Sequence, residues 1–565
     1  MPMTRPFDNL ARWFPAVLCS VVWIAYANSL SGAFLFDDYP VLLSNPFINN
    51  VWPPWEAGQS PHRILVAWSF AVNHALGGQS PVGYHIGNVL IHMGAALALY
   101  GFLHRTFVLP QMPAFIREQP QLLAFAAAAT WAAHPLTTQA VTYISQRFES
   151  MMALFYLLTL YAFARGAGET SRRSYGLAIV ACTLGMCCKR VMITAPVIVL
   201  IYDWVFIARR DVRAMRPRAV WHVLLFLTPA FPYLIDPLVP AENATTALVF
   251  SPLGISPVTY ALTQLGVVTH YIRIALWPVG QCFDYAWPAA ASVRDVVWPG
   301  LLLVMLVGYT LIGLRRFPEA AFTGVFFFGI LAPTSTIVPI DDFAAEHRVY
   351  LPLAAICVAV VLTISRLCSR AGRTRTALIT CVLLILALAG ATHARNRVYR
   401  TGLGMWQDIL AKRPQNVRAY SGVAAGMLRE GRPVDAVRQI EEGLRLLPDL
   451  RDFNYSLEMR GTLTRGERGE ITEFVRLHTY LGTGHSMLGD PARAEAHFRI
   501  ALSAYPGHTP TRVNLGVTLM NQQRHGEARQ AFEQVLADSP NDPAAKQHLA
   551  TLDSIAGGAR DGQAE

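Results

Sequence analysis

Two adjacent carboxylates stand directly behind a greasy N-terminal segment: Asp37 and Asp38 in "SGAFLFDDYPVLLSNPFI" (31–48). A helix exit needs only one acid. A pair can serve as a general base toward a hydroxyl. It could also hold a divalent cation, although two acids with no further close partner make a poor all-protein metal site. Other chemistry-bearing residues recur at the edges of later apolar runs. "HPLTTQAVTYISQRFES" (134–150) carries His134, Arg147 and Glu149, "CCKRVMITAP" carries Lys189 and Arg190, and "AAEHRVYLP" carries Glu346, His347, Arg348 and Tyr350. Arg63 and His85 complete the set. Arginine is a fork-shaped donor to anionic groups, and a cation beside a departing phosphate stabilises the charge it gains. Arg63, Arg147, Lys189, Arg190 and Arg348 are thus candidate phosphate ligands. His85, His134, Glu149, Glu346, His347 and Tyr350 are candidates for the rest of the pocket. The chemistry they suggest is transfer of a group from a phosphate-linked, membrane-held donor to a hydroxyl acceptor.

Such residues need a scaffold, and the composition says which. Of 565 residues, 53% are hydrophobic and 15% charged, against about 25% charged in an ordinary globular chain. Apolar runs occur near 13–31, 85–103, 120–134, 150–165, 175–188, 191–208, 219–237, 298–314, 318–333, 350–366 and 376–392. They predict an all-α polytopic membrane domain with about eleven crossings. Segment 258–277 is interrupted by His270 and Arg273 and reads as interfacial.

The net charge of +10 belongs to the apolar part, since residues 401–565 hold 19 basic and 20 acidic residues. A positive-inside bias explains it better than nucleic-acid binding. With the N-terminus cytoplasmic, Arg105 and Arg117, Arg165 to Arg173, "RRDVRAMRPR" (209–218), Arg315 with Arg316, and "SRLCSRAGRTR" (365–375) all fall inside. The chemistry-bearing stretches and the C-terminal region then fall outside. The first outer loop is 32–83, and Lys189 with Arg190 sit where topology disfavours cations. The eight cysteines form neither a zinc pattern nor a disulfide framework. Arginine outnumbers lysine 44 to 3, which suggests a GC-rich bacterium and hence its inner membrane, with the active face periplasmic. The sequon at 243–245 then carries little meaning.

After residue 400 the texture changes. Residues 481–506 and 515–540 align without gaps, with Gly482/Gly516, Ala494/Ala528, Phe498/Phe532 and Pro506/Pro540 each 34 apart. That is the tetratricopeptide period. Residues 416–448 are a looser copy, 449–472 are degenerate, and 543–556 suit a capping helix. The expected division is a membrane domain at 1–400, a repeat α-solenoid at 401–556, and a disordered tail at 557–565.

The ordered motifs "FDDYPVLLSNPFI", "YHIGNVLIHMGAALAL", "HPLTTQAVTYISQRFESMMALFYLL", "CCKRVMITAPVIVLIYDW", "FDYAWP" and "PTSTIVPIDDFAAEHRVYLPLA", followed by the repeats, resemble bacterial relatives of the transmembrane-and-tetratricopeptide-repeat protein O-mannosyltransferases. These belong to the GT-C glycosyltransferase superfamily. The resemblance implies a catalytic first outer loop and a polyprenyl-phosphate sugar as donor substrate. It implies inversion at the anomeric carbon, and one aspartate, Asp38 by preference, as the base. A protein or glycan would be the acceptor, and the repeats could bind a protein partner. Two positions depart from the family pattern: Arg190 replaces the acid that usually follows the lysine, and Gln139 replaces a glutamate. Both make the pocket less acidic and bear on the sugar it takes. The competing reading is a non-catalytic membrane scaffold whose repeats recruit partners.

Overall fold

The structure, a computed structural model, describes residues 11–57, 60–238, 255–340, 342–451 and 465–561, without the side chains of 465–467 and 556–561. The sequon lies outside them. Among the described residues there is no strand. The chain forms two compact units, the first reaching to Thr401 and the second made mainly of the chain from Gly402 onward.

Helices of the first unit follow the eleven apolar runs one for one. Eight are long and apolar enough to cross a membrane by length and composition: Phe14–Ser31, Pro81–Phe107, Ile144–Glu169, Arg190–Ile207, Val212–Leu238, Val293–Arg316, Leu353–Arg370 and Thr374–Tyr399. The other three runs form helices of 13, 15 and 14 residues, Pro120–Ala132, Arg172–Met186 and Pro318–Leu331. These rise only about 20 Å. Packing accounts for the first of them. Ala126 to Ala129, Trp131 and Ala132 are all buried, and a helix apolar on every side belongs inside a bundle. By contrast, only 17% of the apolar window of Val293–Arg316 is buried. Its outward leucines and valines are the surface that lipid would cover.

The interfacial reading of 258–277 corresponds to the helix Pro257–Leu276, which is not among the eight. The first outer loop holds an element the sequence reading passes over, the apolar helix Ile64–Gly77. Pro81–Phe107 packs closely on Arg147–Glu169, and a Cβ on Gly101 would lie 2.9 Å from the Tyr161 ring.

In the second unit, Gly402–Lys412 precedes the helix pairs Val417–Arg429 with Pro433–Leu444, Arg465–Met487 with Pro491–Ala504, and Thr509–Asn521 with His525–Asp538. The 34-residue repeat has a steric cause. A Cβ on Gly482 would sit 2.5 Å from Phe498, and one on Gly516 would sit 2.7 Å from Phe532. The stretch read as degenerate contains the start of the 23-residue helix Arg465–Met487. The last helix runs from Pro543 to Asp561. Helix therefore runs through 557–561, the start of the expected tail, and 562–565 lie outside the described residues.

Candidate active site

The two aspartates occupy different environments. Asp38 has no solvent exposure. Its Oδ2 accepts the Leu35 N–H at 2.8 Å, and its Oδ1 accepts the Ser145 N–H at 2.7 Å. One carboxylate thus closes the turn behind it and ties the first outer loop to the segment before Arg147. Within that turn Phe36 holds φ at +35°, a conformation that costs a bulky residue energy, and the Asp38 bond spans it. Burial pushes the Asp38 carboxyl up to about 7, while its N–H donors pull the other way. Asp37 is half-buried, and its backbone N–H donates to the Tyr143 hydroxyl at 2.8 Å. Asp38, the base expected from the sequence, is thus enclosed, whereas Asp37 beside it is only half-buried. Among the described residues no group of three or more His, Cys, Asp or Glu is arranged for a metal.

The expected phosphate ligands separate in the same way. Arg147 is 1% exposed, and every nitrogen of its guanidinium is engaged. Nε donates to Asn88 Oδ1 at 2.6 Å, Nη1 to Ser69 Oγ at 3.1 Å, and Nη2 to the Tyr84 carbonyl at 2.8 Å. Its plane lies over Phe70, 4.4 Å from the ring centre. Gly87 makes room, since a Cβ there would meet Nη2 at 2.8 Å. This arginine holds helices together and presents no donor to a ligand. Arg348 is buried and donates to the carbonyls of Phe343 and Asp342. Lys189 pairs with the buried Glu149. Arg63 and Arg190 remain exposed.

Several expected pocket residues serve as ties instead. His85 meets the Gly32 carbonyl at 3.1 Å. His134 accepts the Leu136 N–H through Nδ1, so its Nε2 donates to the Ala275 carbonyl at 3.0 Å. Glu346 is wholly buried and accepts from the Cys282 N–H and the Tyr285 hydroxyl. The Tyr350 hydroxyl meets His92 Nδ1 at 2.7 Å, and its carbonyl accepts from Trp131. His347 is partly exposed, with its backbone N–H and Nδ1 on Gln139 Oε1. Burial holds its imidazole well below the usual range, and Lys189 and Arg348 add to that, so it stays neutral.

The ties bring distant segments to one end of the helices. Asp37 sits by Tyr143, Ser145 leads into Arg147 and Glu149, Glu149 meets Lys189, and Gln139 joins His347 to Phe283. Tyr143, Ser145, Asn88 and Ser69 escape the sequence reading. A signal existed for Asn88, because His85, Asn88 and His92 form a polar stripe at helical spacing on an otherwise apolar helix. Nothing local marks Tyr143 or Ser145.

The tetratricopeptide repeat family matches residues 487–552. Over its greater length the chain is similar to proteins named protein O-mannosyl-transferases. It is 25% identical to F38B6.6 of Caenorhabditis elegans, an alignment covering 76% of this chain and 62% of that protein. It is 23% identical to TMTC1 of Homo sapiens over 80% of this chain and 56% of that protein. With Tmtc3 of Drosophila melanogaster it shares 23% identity over 94% of this chain and 64% of that protein. The chain thus spans about six tenths of the length of these relatives.

Proposed function

We propose that this relative of the protein O-mannosyl-transferases is a membrane glycosyltransferase that moves a sugar, mannose by analogy with its relatives' names, from a polyprenyl-phosphate donor to a hydroxyl of a protein or glycan. The observation that carries the reading is the asymmetry of the acid pair. An enclosed Asp38 anchors the loop, and a half-buried Asp37 beside it lies within electrostatic reach of Arg63. Asp37 takes the proton of the acceptor hydroxyl as that oxygen attacks the anomeric carbon. The bond from that carbon to the phosphate oxygen breaks, its electrons stay with the phosphate, and the lipid phosphate leaves with one more negative charge. Attack opposite the leaving group inverts the carbon. The site opens on the periplasmic face of a bacterial inner membrane, the side away from the arginine clusters, with the N-terminus cytoplasmic and the repeats outside.

The test is transfer from a radiolabelled polyprenyl-phosphate-mannose to extracted envelope acceptors by the full chain in nanodiscs. Asp37→Asn should lower turnover roughly 100- to 10,000-fold, the usual worth of a general base. A folded chain that transfers no sugar from any lipid-phosphate donor would favour the scaffold reading.

A further inference from the structure

The membrane unit carries an apolar groove apart from the candidate active site. The buried rings of Phe102, Phe322 and Phe326 line it, and it follows the helix Leu353–Arg370 from Ala354 to Arg366. Twelve residues of helix rise about 18 Å, close to the roughly 15 Å of hydrocarbon in one leaflet. Its volume is about 460 Å³. A second apolar groove of about 450 Å³ adjoins it, and the two share Tyr309, Thr323, Ala355 and Ala359. The alanines at this junction keep it open, and Tyr309 and Ala359 are exposed there. Left empty, apolar walls of this extent would forfeit dispersion contacts.

Only the first groove carries charge among the described residues. Glu319, in the first turn of Pro318–Leu331, and Arg366, near the end of Leu353–Arg370, both line it. These helix ends also carry Arg316 and Arg370, so the charged end belongs at head-group level. Neither Glu319 nor Arg366 makes a hydrogen bond or ion pair among the described residues. A helix favours an acid at its start and a base at its end. That explains each charge singly, but not why both line one apolar groove without meeting.

We infer that the two grooves hold one diacyl phospholipid whose head group carries both a phosphate and a primary ammonium, an ethanolamine-type lipid. Its two acyl chains occupy the two grooves. Arg366 donates to the phosphate, because a guanidinium fork matches two phosphate oxygens, and the ammonium donates to the Glu319 carboxylate. Each charge of the zwitterion then meets its opposite. A choline head group has the same net charge, but its quaternary nitrogen has no N–H to donate. A glycerol head group would leave Glu319 facing a net anion. A polyprenyl phosphate brings one chain to two grooves and no cation to the acid.

The test is lipid binding to the delipidated full chain in detergent, read by native mass spectrometry, with dioleoyl lipids bearing ethanolamine, choline or glycerol head groups. The wild-type chain should hold one ethanolamine lipid about ten-fold more tightly than either of the others, the worth of one hydrogen bond between charged groups. Glu319→Gln should bring ethanolamine down to the level of choline. Arg366→Gln should weaken all three. Ala359→Phe, which fills the junction and alters neither charge, should abolish the bound lipid. Melting temperatures in lipid-free detergent identify the folded variants, and the two charge substitutions, both at solvent-accessible positions, decide the matter if Ala359→Phe does not fold. Equal affinity for the three head groups, or a preference for ethanolamine that survives Glu319→Gln, would overturn the inference. So would displacement of the bound lipid by equimolar polyprenyl phosphate, which would give the groove to a single isoprenoid chain. None of these outcomes depends on sugar transfer.

Discussion

Adjacent aspartates of one loop can differ completely because burial, not residue type, sets what a carboxylate does. Asp38 is held by backbone N–H groups from two segments, so Asp38→Ala would orphan both. Each buried N–H left without a partner costs about 1–3 kcal/mol, and the melting temperature of this variant should fall well below that of Asp37→Ala. The pH dependence has a definite sign. Folding raises the Asp38 carboxyl from near 4 in the open chain to about 7, so the folded state holds the proton more tightly. That contribution is complete below about pH 4 and is lost as pH rises through 7. Wild-type stability relative to Asp38→Asn should therefore decline across that window and level off above it. A flat difference would show that the carboxyl is not raised. The sequence made the pair conspicuous as charges in an apolar background. It could not rank them, because the groups that distinguish them, Tyr143 and Ser145, lie more than a hundred residues away.

Between helices, the buried polar groups act as fasteners, as the protein partners of Arg147 and Lys189 show. Arg147 and Glu149 stand at a helix start, where sequence alone reads a cation as ready for an anion. Whether its donors are free depends on Asn88, Ser69 and Tyr84, contributed by helices 59 to 78 residues away. Lysine cannot reproduce a planar fork serving three partners. Arg147→Lys should destabilise the chain by about 2–4 kcal/mol, while the folded fraction keeps its affinity for polyprenyl phosphate. The Lys189–Glu149 pair allows a cycle. Glu149 is nearly enclosed and Lys189 partly open, so Lys189→Met, which strands the buried carboxylate, should cost more than the double substitution Lys189→Met with Glu149→Leu. In the repeats, by contrast, local spacing was enough. The glycine–phenylalanine contacts recur at 34 residues because one steric problem is solved the same way twice, and Gly516→Val should disrupt that helix pair.

At the scale of the whole molecule, the apolar runs revealed the order of the membrane helices, and their tertiary packing set the lengths. The alanine-rich Pro120–Ala132 is short because its neighbours enclose it on nearly every side. The apolar helix Ile64–Gly77 lies inside the stretch 32–83 that the sequence reading took as one outer loop; at 14 residues it is shorter than a membrane span. The proposal that the site lies on the outer side rests on the arginine clusters, which a positive-inside bias would put in the cytoplasm. A reporter active only in the cytoplasm, fused after residue 405, should stay silent, and activity there would put the repeats inside.

The central claim is that Asp37 is the base and Asp38 its anchor. Single-turnover transfer from labelled polyprenyl-phosphate-mannose, run side by side for Asp37→Asn and Asp38→Asn in nanodiscs, tests it most directly. The account predicts that Asp37→Asn lowers transfer roughly 100- to 10,000-fold at an unchanged melting temperature. Asp38→Asn, which keeps one acceptor oxygen, should lose stability and retain measurable transfer. Full transfer by Asp37→Asn, with none by a stably folded Asp38→Asn, would contradict it.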